Sequence, residues 1–225
     1  MFSIVSIVIF IMSVYLMNKM FIGFQPGSSR VNSDVNRFRA QADKWQDQLV
    51  PWKQEELGLV SLSERNKVAK KGFGRSSEGV IESIYHEPML YYYYKEYPAT
   101  SRNALMFVRT SRYEMVYRMK QKNTQVFVNE EHMGTLYPDG SLRSADGTHL
   151  GRIDRSDPYI RPIGLDSSQV GSVLFPSEEI NIKPRAFDID ESMDDGQRLL
   201  FMILGIHEIV LHLSNARPNL PAVTS

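Results

Sequence analysis

The sequence contains no cysteine and carries no net charge. The absence of cysteine excludes disulfides, thiolate catalysis and cysteine-ligated zinc sites, although it leaves the cellular compartment open. Lys and Arg together number 26, as do Asp and Glu, so the chain lacks the basic surplus that nucleic-acid binding usually requires. We therefore expect no nucleic acid among its partners.

Recognisable catalytic signatures are also missing: there is no Ser/His/Asp set, no paired-carboxylate motif and no glycine fingerprint. The segment "HEIVLH" is the nearest to a zinc-protease motif. That motif needs two histidines four residues apart, on one helix face. His207 and His212 are five apart, which places them about 140° from each other around a helix, and Leu211 occupies the required position. We expect no metal, no cofactor and no enzymatic activity.

A basic stretch, "AKKGFGR" at 69–75, combines flexible glycines with Lys70, Lys71 and Arg75. It does not match a P-loop, which requires GxxxxGK followed by Ser or Thr. One interpretation is a solvated loop. The other is a lipid- or phosphate-binding group, in which each charge near an anionic membrane contributes about 1 kcal/mol.

The N-terminal residues 1–24 form the longest apolar segment, with no charged side chain before Lys19. A membrane span needs about 20 apolar residues, and a lysine near its end can extend to the interface. A cleaved signal peptide is the alternative, but a basic leader and an Ala-x-Ala site are both missing. We predict a single transmembrane anchor. Positive charges follow the span and none precedes it, which predicts a cytoplasmic C-terminal domain.

Residues 25–34, "QPGSSRVNSD", are typical of a linker. Residues 35–78 are predicted to be a juxtamembrane helical segment. Its first part carries an apolar stripe at helical spacing, formed by Val35, Phe38, Ala42, Trp45 and Leu49. Short polar helices are expected at 54–60 or 63–69.

From Gly79 onward the pattern changes to short runs rich in β-branched and aromatic residues. In "RYEMVYRM", Tyr113, Met115, Tyr117 and Met119 alternate with charged residues, with Val116 as the one exception, which predicts a strand with one buried and one wet face. In "YYYY", Tyr91, Tyr92, Tyr93 and Tyr94 predict a strand that buries one face and presents hydroxyls on the other. We regard these four tyrosines as a candidate partner interface.

Three glycine-centred segments, "HMGTL", "HLGRI" and "QVGSV", form a weak internal repeat separated by the hairpin turns "PDGS" and "ADGT". About ten or eleven short strands are expected between Gly79 and Asp188 by the run-length rule. So many strands require closure, because exposed edges promote aggregation. The predicted fold is mainly β (α+β): an N-terminal transmembrane helix followed by a closed antiparallel β-barrel-like domain over 79–214.

The last apolar segment, 199–214, contains Glu208 and two histidines. As a second membrane span it would be too short, and its glutamate would cost several kcal/mol in lipid. A helix at 195–214 buried within the domain is favoured. The preceding acidic residues are either helix caps or an incomplete calcium loop, since Met193 stands where that loop needs glycine. Residues 215–225 are predicted to be a flexible tail.

Two features resemble the tubby C-terminal-like superfamily, which includes LURP-one-related proteins and phospholipid scramblases. One is "FDIDESM" followed by "LLFMILGIHEIVLHL"; the other is the set "MGTL", "LGRI" and "VGSV". The similarity covers roughly 79–214. It implies a barrel whose core is the C-terminal helix, with His207, Glu208 and His212 near the barrel mouth, and an association with membrane lipid. It transfers no site residues, because the anchor here is N-terminal and the calcium pattern is incomplete.

These observations predict a membrane-anchored, non-enzymatic β-barrel module that presents a lipid- or protein-binding surface at the cytoplasmic membrane face. Its partner would be a membrane lipid or a membrane protein. The alternative is a structural subunit of a larger membrane complex, with the tyrosine-rich strand as its interface. The sequence leaves the oligomeric state open.

Overall fold

The computed structural model describes residues 2–24, 27–51, 54–72, 74–98, 103–166, 168–176, 185–190 and 192–215. Four α-helices lie within these ranges: α1 (Phe2–Phe24), α2 (Ser28–Ala42), α3 (Gln54–Leu57) and α4 (Asp195–Asn215), with a 3₁₀ turn at Asp43–Trp45. The predicted linker is thus largely helical, because α2 begins directly after Gly27. The predicted tail lies mostly outside the described residues.

Twelve strands form one sheet in which each strand pairs antiparallel with the next along the chain. They are β1 (Val60–Gly72), β2 (Gly74–Ser83), β3 (Pro88–Glu96), β4 (Asn103–Arg109), β5 (Glu114–Lys120), β6 (Asn123–Val128), β7 (Glu131–Leu136), β8 (Ser141–Arg143), β9 (His149–Ile153), β10 (Ile160–Leu165), β11 (Ser168–Leu174) and β12 (Phe187–Ile189).

The sheet curls into a nearly closed barrel. Its first and last strands meet through an antiparallel bridge between Ser61 and Arg185, and the backbone N–H of Ala186 donates to Val60 O at 2.7 Å. The predicted mainly β, barrel-like class is therefore confirmed. The strands begin at Val60, so the expected helical segment 35–78 is too long. The run of charged residues in β1 resembles a helix surface in sequence, and only pairing with β2 makes it a strand.

Helix α4 fills the barrel and provides its core, together with the inward-facing side chains of the strands. From Phe201 to Val210 every residue of α4 is buried. The Tyr117 hydroxyl donates to the backbone oxygen of Ile203 at 2.9 Å, which ties strand to helix. Gly205 allows a close approach, since a Cβ there would lie 2.6 Å from the Phe187 ring. The apolar C-terminal helix is thus the core of its own domain.

Within the described part of the chain, α4 is the helix long and apolar enough to cross a membrane, but 61% of that stretch is buried in the barrel. In α1, the apolar part whose side chains are described, Ser6–Met17, is shorter than a span. The anchor predicted for residues 1–24 therefore remains a prediction, although the helix itself runs from Phe2 to Phe24.

Helix α2 packs against the outside of the barrel, over β3, β4 and β5. Phe38 is fully buried there, and its ring stacks on Tyr93 with centroids 3.9 Å apart. Val116 belongs to the same cluster, and Glu114 is buried beneath Arg39. The outer face of β5 is therefore covered, not wet as its alternation predicted. Alternation distinguishes two faces but does not show that a helix from elsewhere covers the second one.

Two local predictions are confirmed. Gly140 and Gly147 adopt φ values of +85° and +88° in the expected hairpin turns, a conformation that favours glycine. Asp194 caps α4: its carboxylate accepts from the Gln197 N–H at 2.8 Å, while the Gln197 side chain accepts from the Asp194 N–H at 3.1 Å. This reciprocal pair is a capping box that fixes where the core helix begins.

Candidate functional site

A cavity of about 730 Å³ opens at the end of the barrel where α4 finishes. We call this end the mouth. The last turns of α4 form the cavity floor, and its walls come from the β5–β6 turn, the β7–β8 turn and the β9–β10 loop. Its volume lies in the range typical of small-ligand pockets. His207, Glu208 and His212 line it, so these residues lie at the mouth as expected.

Glu208 is the centre of a charged network inside the cavity, with 2% of its side chain exposed. Arg155 donates to one carboxylate oxygen from Nη2 at 2.7 Å and from Nε at 3.2 Å. Arg161 donates to the other oxygen, and His207 Nδ1 contacts the first at 2.9 Å. The structure provides two arginines, which resolves the cost of burying a carboxylate.

Burial by itself would raise the pKa of Glu208, because a low-dielectric site disfavours the charged form. The hydrogen bond and charge of His207 and those of Arg155 outweigh burial, and the net effect lowers the pKa. Glu208 is therefore ionised at neutral pH and holds both guanidinium groups in place.

Several polar atoms of this network have no hydrogen-bond partner. His207 is 4% exposed, and its Nε2 is buried and unpaired; the Nε of Arg161 is unpaired in the same way. Native structures leave few buried polar atoms unsatisfied. The cavity therefore contains hydrogen-bonding capacity that the described residues do not use.

His212 lies one turn further along α4, at the same mouth. The His212 ring packs against the Phe175 ring with centroids 4.5 Å apart, and the Arg161 guanidinium lies 4.6 Å from the centroid of the Phe175 ring. Burial lowers the pKa of His212, and the neighbouring charges of Arg161 and Lys67 lower it further. Among the described residues, no group of three or more His, Asp or Glu side chains is arranged to hold a metal ion.

The turns around the mouth form a rim of exposed charged and apolar side chains that includes the acids Asp139, Asp154 and Asp157. Lys70, on β1, and Lys120 and Lys122, at the β5–β6 turn, are exposed. Among the described residues of the barrel domain, five large apolar side chains are exposed, and four of them are also on this side; they are Val68, Tyr137, Tyr159 and Ile160. The fifth, Tyr85, is in the β2–β3 turn at the opposite end.

Helix α1 joins the barrel at this same rim. The start of α2, at Gly27 and Ser28, lines a recess together with Tyr97, Asn103 and Lys120, which belong to the ends of β3, β4 and β5 nearest the mouth. The chain from Phe24 to Gly27 spans at most about 11 Å. The C-terminal end of α1 is therefore close to the mouth.

The predicted basic group belongs to the β1–β2 hairpin, which reaches the rim. Lys70 is exposed, and Lys71 lies opposite Arg75 in the β1–β2 register, with its side chain outside the described residues. Arg75 is half-buried: it donates to the Asn215 side chain at 2.5 Å and pairs with Glu96 at 3.5 Å. Arg75 therefore attaches the hairpin to the end of α4.

The four tyrosines are divided between the two faces of β3. Tyr92 and Tyr94 belong to the barrel core and are 0% and 1% exposed. Tyr91, 4% exposed, and Tyr93 pack beneath α2. The exposure that a partner interface would need is therefore missing, because α2 of the same chain already covers the outward pair.

Arg155, Arg161 and Lys122 were missed by sequence reasoning. One signal was present: a glutamate in an otherwise apolar helix requires a buried cation as its partner. Sequence spacing did not indicate which of the 26 basic residues that partner would be, since Arg155 is 53 positions from Glu208. The pairing depends on how the β9–β10 loop folds over the mouth.

The sequence matches no protein-family model, and neither the curated proteins nor the solved structures include one with significant similarity to it.

Proposed function

We propose that this chain is a membrane-anchored, non-enzymatic barrel module, related to the tubby-like barrels, whose mouth rests on the anionic cytoplasmic face of the membrane. The observation that carries the proposal is the attachment of α1 within about 11 Å of Gly27, at the rim of the mouth. An anchor at this position brings the mouth end of the barrel close to the bilayer.

The chemistry of the rim supports this orientation. Anionic lipid attracts each exposed cation near the surface with about 1 kcal/mol, and Lys70, Lys120 and Lys122 are exposed there. Tyr137 and Tyr159 suit the interface between water and hydrocarbon, where amphipathic aromatic rings concentrate.

Anchoring is tested by expressing the full chain in cells and extracting the membranes with alkaline carbonate. We expect the chain to remain in the membrane pellet, and Ile9→Lys, which places a charge in the apolar part of α1, to release it. Ser144→Cys supplies the only thiol, so a membrane-impermeant thiol reagent should label it only after lysis. Carbonate extraction of the unaltered chain, or labelling of Ser144→Cys in intact cells, would contradict the proposal.

A structural subunit of a larger complex is the second function considered. The surface first considered for it, the four tyrosines, is buried by α2 or within the core. A stoichiometric partner that co-purifies in mild detergent would favour this alternative, and a clean monomer would count against it.

A further inference from the structure

We infer that the mouth cavity is a binding site for a phosphomonoester group, held by Arg155, Arg161 and Lys122 with Glu208 as the positioning residue. The inference goes beyond docking of the rim on a charged surface, because it concerns one bound molecule inside the barrel. It rests on the proposed function only where the ligand is a lipid headgroup, and a soluble phosphomonoester tests it without that assumption.

The charge of the cavity favours a dianion. Its lining contains three cationic side chains, Lys122, Arg155 and Arg161, and a single acid, Glu208. Two formal positive charges are thus left uncompensated, without counting either histidine. A phosphomonoester carries about −1.5 to −2 at pH 7, whereas a carboxylate would neutralise only half of this surplus.

The donors needed for such a ligand are also present. Arg155 directs Nε and Nη2 to Glu208, which leaves its Nη1 with only a long contact of 3.4 Å to Pro138 O. Arg161 has a buried, unpaired Nε. Lys122 is exposed at the rim of the cavity, with no ion pair to any described residue. Guanidinium groups match phosphate oxygens in paired geometry, and a lysine adds a mobile charge.

Glu208 explains why these groups stay in position. Two arginines that converge on one cavity repel each other, and a carboxylate between them offsets the repulsion. A purely apolar plug would be at least as stable as a buried ionic cluster. The cluster is therefore better explained by a requirement for two arginines at the mouth than by barrel stability.

The soluble test uses the full chain in phosphatidylcholine nanodiscs, titrated with glycerol 3-phosphate and followed by calorimetry. We expect saturable binding that weakens about threefold to tenfold in Lys122→Gln, the loss expected for one exposed charge contact. Asn123→Trp, which fills the cavity from an exposed position at the start of β6, should abolish it. Lys44→Gln makes the same charge change at an exposed site outside the cavity and should leave binding unchanged.

The lipid arm compares nanodiscs that contain phosphatidic acid with nanodiscs that contain phosphatidylserine, which is anionic but has no phosphomonoester. A rise in melting temperature with phosphatidic acid alone, lost in Asn123→Trp, would identify a lipid headgroup as the source. Binding in either arm supports the inference. The absence of binding in both arms, or equal binding by the unaltered chain and Asn123→Trp, would overturn it. Neither of those results would affect carbonate resistance, so failure of the cavity is distinguishable from failure of the anchor.

Discussion

Replacing Glu208 by glutamine should destabilise the barrel more than any exposed charge change, because it leaves two arginines without their shared carboxylate. Removing one partner of a buried ion pair costs about 3–5 kcal/mol. Arg155 and Arg161 keep 30% and 23% of their side chains exposed, so water offsets part of this cost. We expect a loss of about 2–4 kcal/mol, equivalent to a fall of roughly 5–15 °C in melting temperature for a chain of this size.

The assay is thermal and urea unfolding of the full chain in one detergent, with Glu130→Gln as the matched control. Glu130 also pairs with an arginine, Arg39, but 73% of its side chain is exposed. Its replacement should cost less than about 1 kcal/mol. In the double variant Glu208→Gln/Arg155→Gln the loss should be smaller than the sum of the single losses, because both act on one network. Equal losses for Glu208→Gln and Glu130→Gln would refute the network as described.

Three further predictions concern the core, the outer helix and the mouth. Phe38→Ala should lower the free energy of unfolding by about 3–5 kcal/mol, because the buried ring stacks on Tyr93 and fixes α2. Urea unfolding would measure this loss, and faster proteolysis after α2 would accompany it. An unchanged urea midpoint would contradict the prediction. Gly205→Leu should destabilise the fold by about 1–3 kcal/mol, since the leucine side chain would meet the Phe187 ring. A melting temperature no lower than that of the unaltered chain would show that the Phe187 ring moves aside freely. The pKa of His212 is lowered from 6.5, first by burial, so the unfolded chain binds this proton more tightly than the folded chain does. The stability of the fold therefore falls as the pH drops below 6.5. His212→Leu should flatten the dependence of melting temperature on pH between pH 7 and 5, and an unchanged slope would exclude His212 as the source of that dependence.

The core could be predicted from the sequence where the pattern was local. The strand at β5, the two Asp-Gly turns and the Asp194 cap each depend on residues a few positions apart, and the structure confirms them, although the second face of β5 is covered. The buried position of α4 followed from its length and from the glutamate that it carries.

What the sequence could not indicate depends on long-range pairing. The charged residues of β1 have no alternation that indicates a strand, and only β2 completes their backbone hydrogen bonds. The outward tyrosines Tyr91 and Tyr93 suggested an interface because nothing local reveals that α2 lies over them. The arginine partners of Glu208 come from the β9–β10 loop and from β10, 53 and 47 positions away. Spacing rules do not reach that far, so the candidate site was found only in three dimensions.

The orientation of the barrel at the membrane is tested most directly by fluorescence quenching at two positions. Because the chain has no native cysteine, Ser156→Cys in the β9–β10 loop and Tyr85→Cys at the opposite end each give a single labelling site. The labelled full chain is placed in nanodiscs that contain anionic lipid and a quencher attached to lipid headgroups. We predict strong quenching at position 156 and little at position 85. Equal quenching at both positions, or stronger quenching at position 85, would contradict a mouth that faces the membrane.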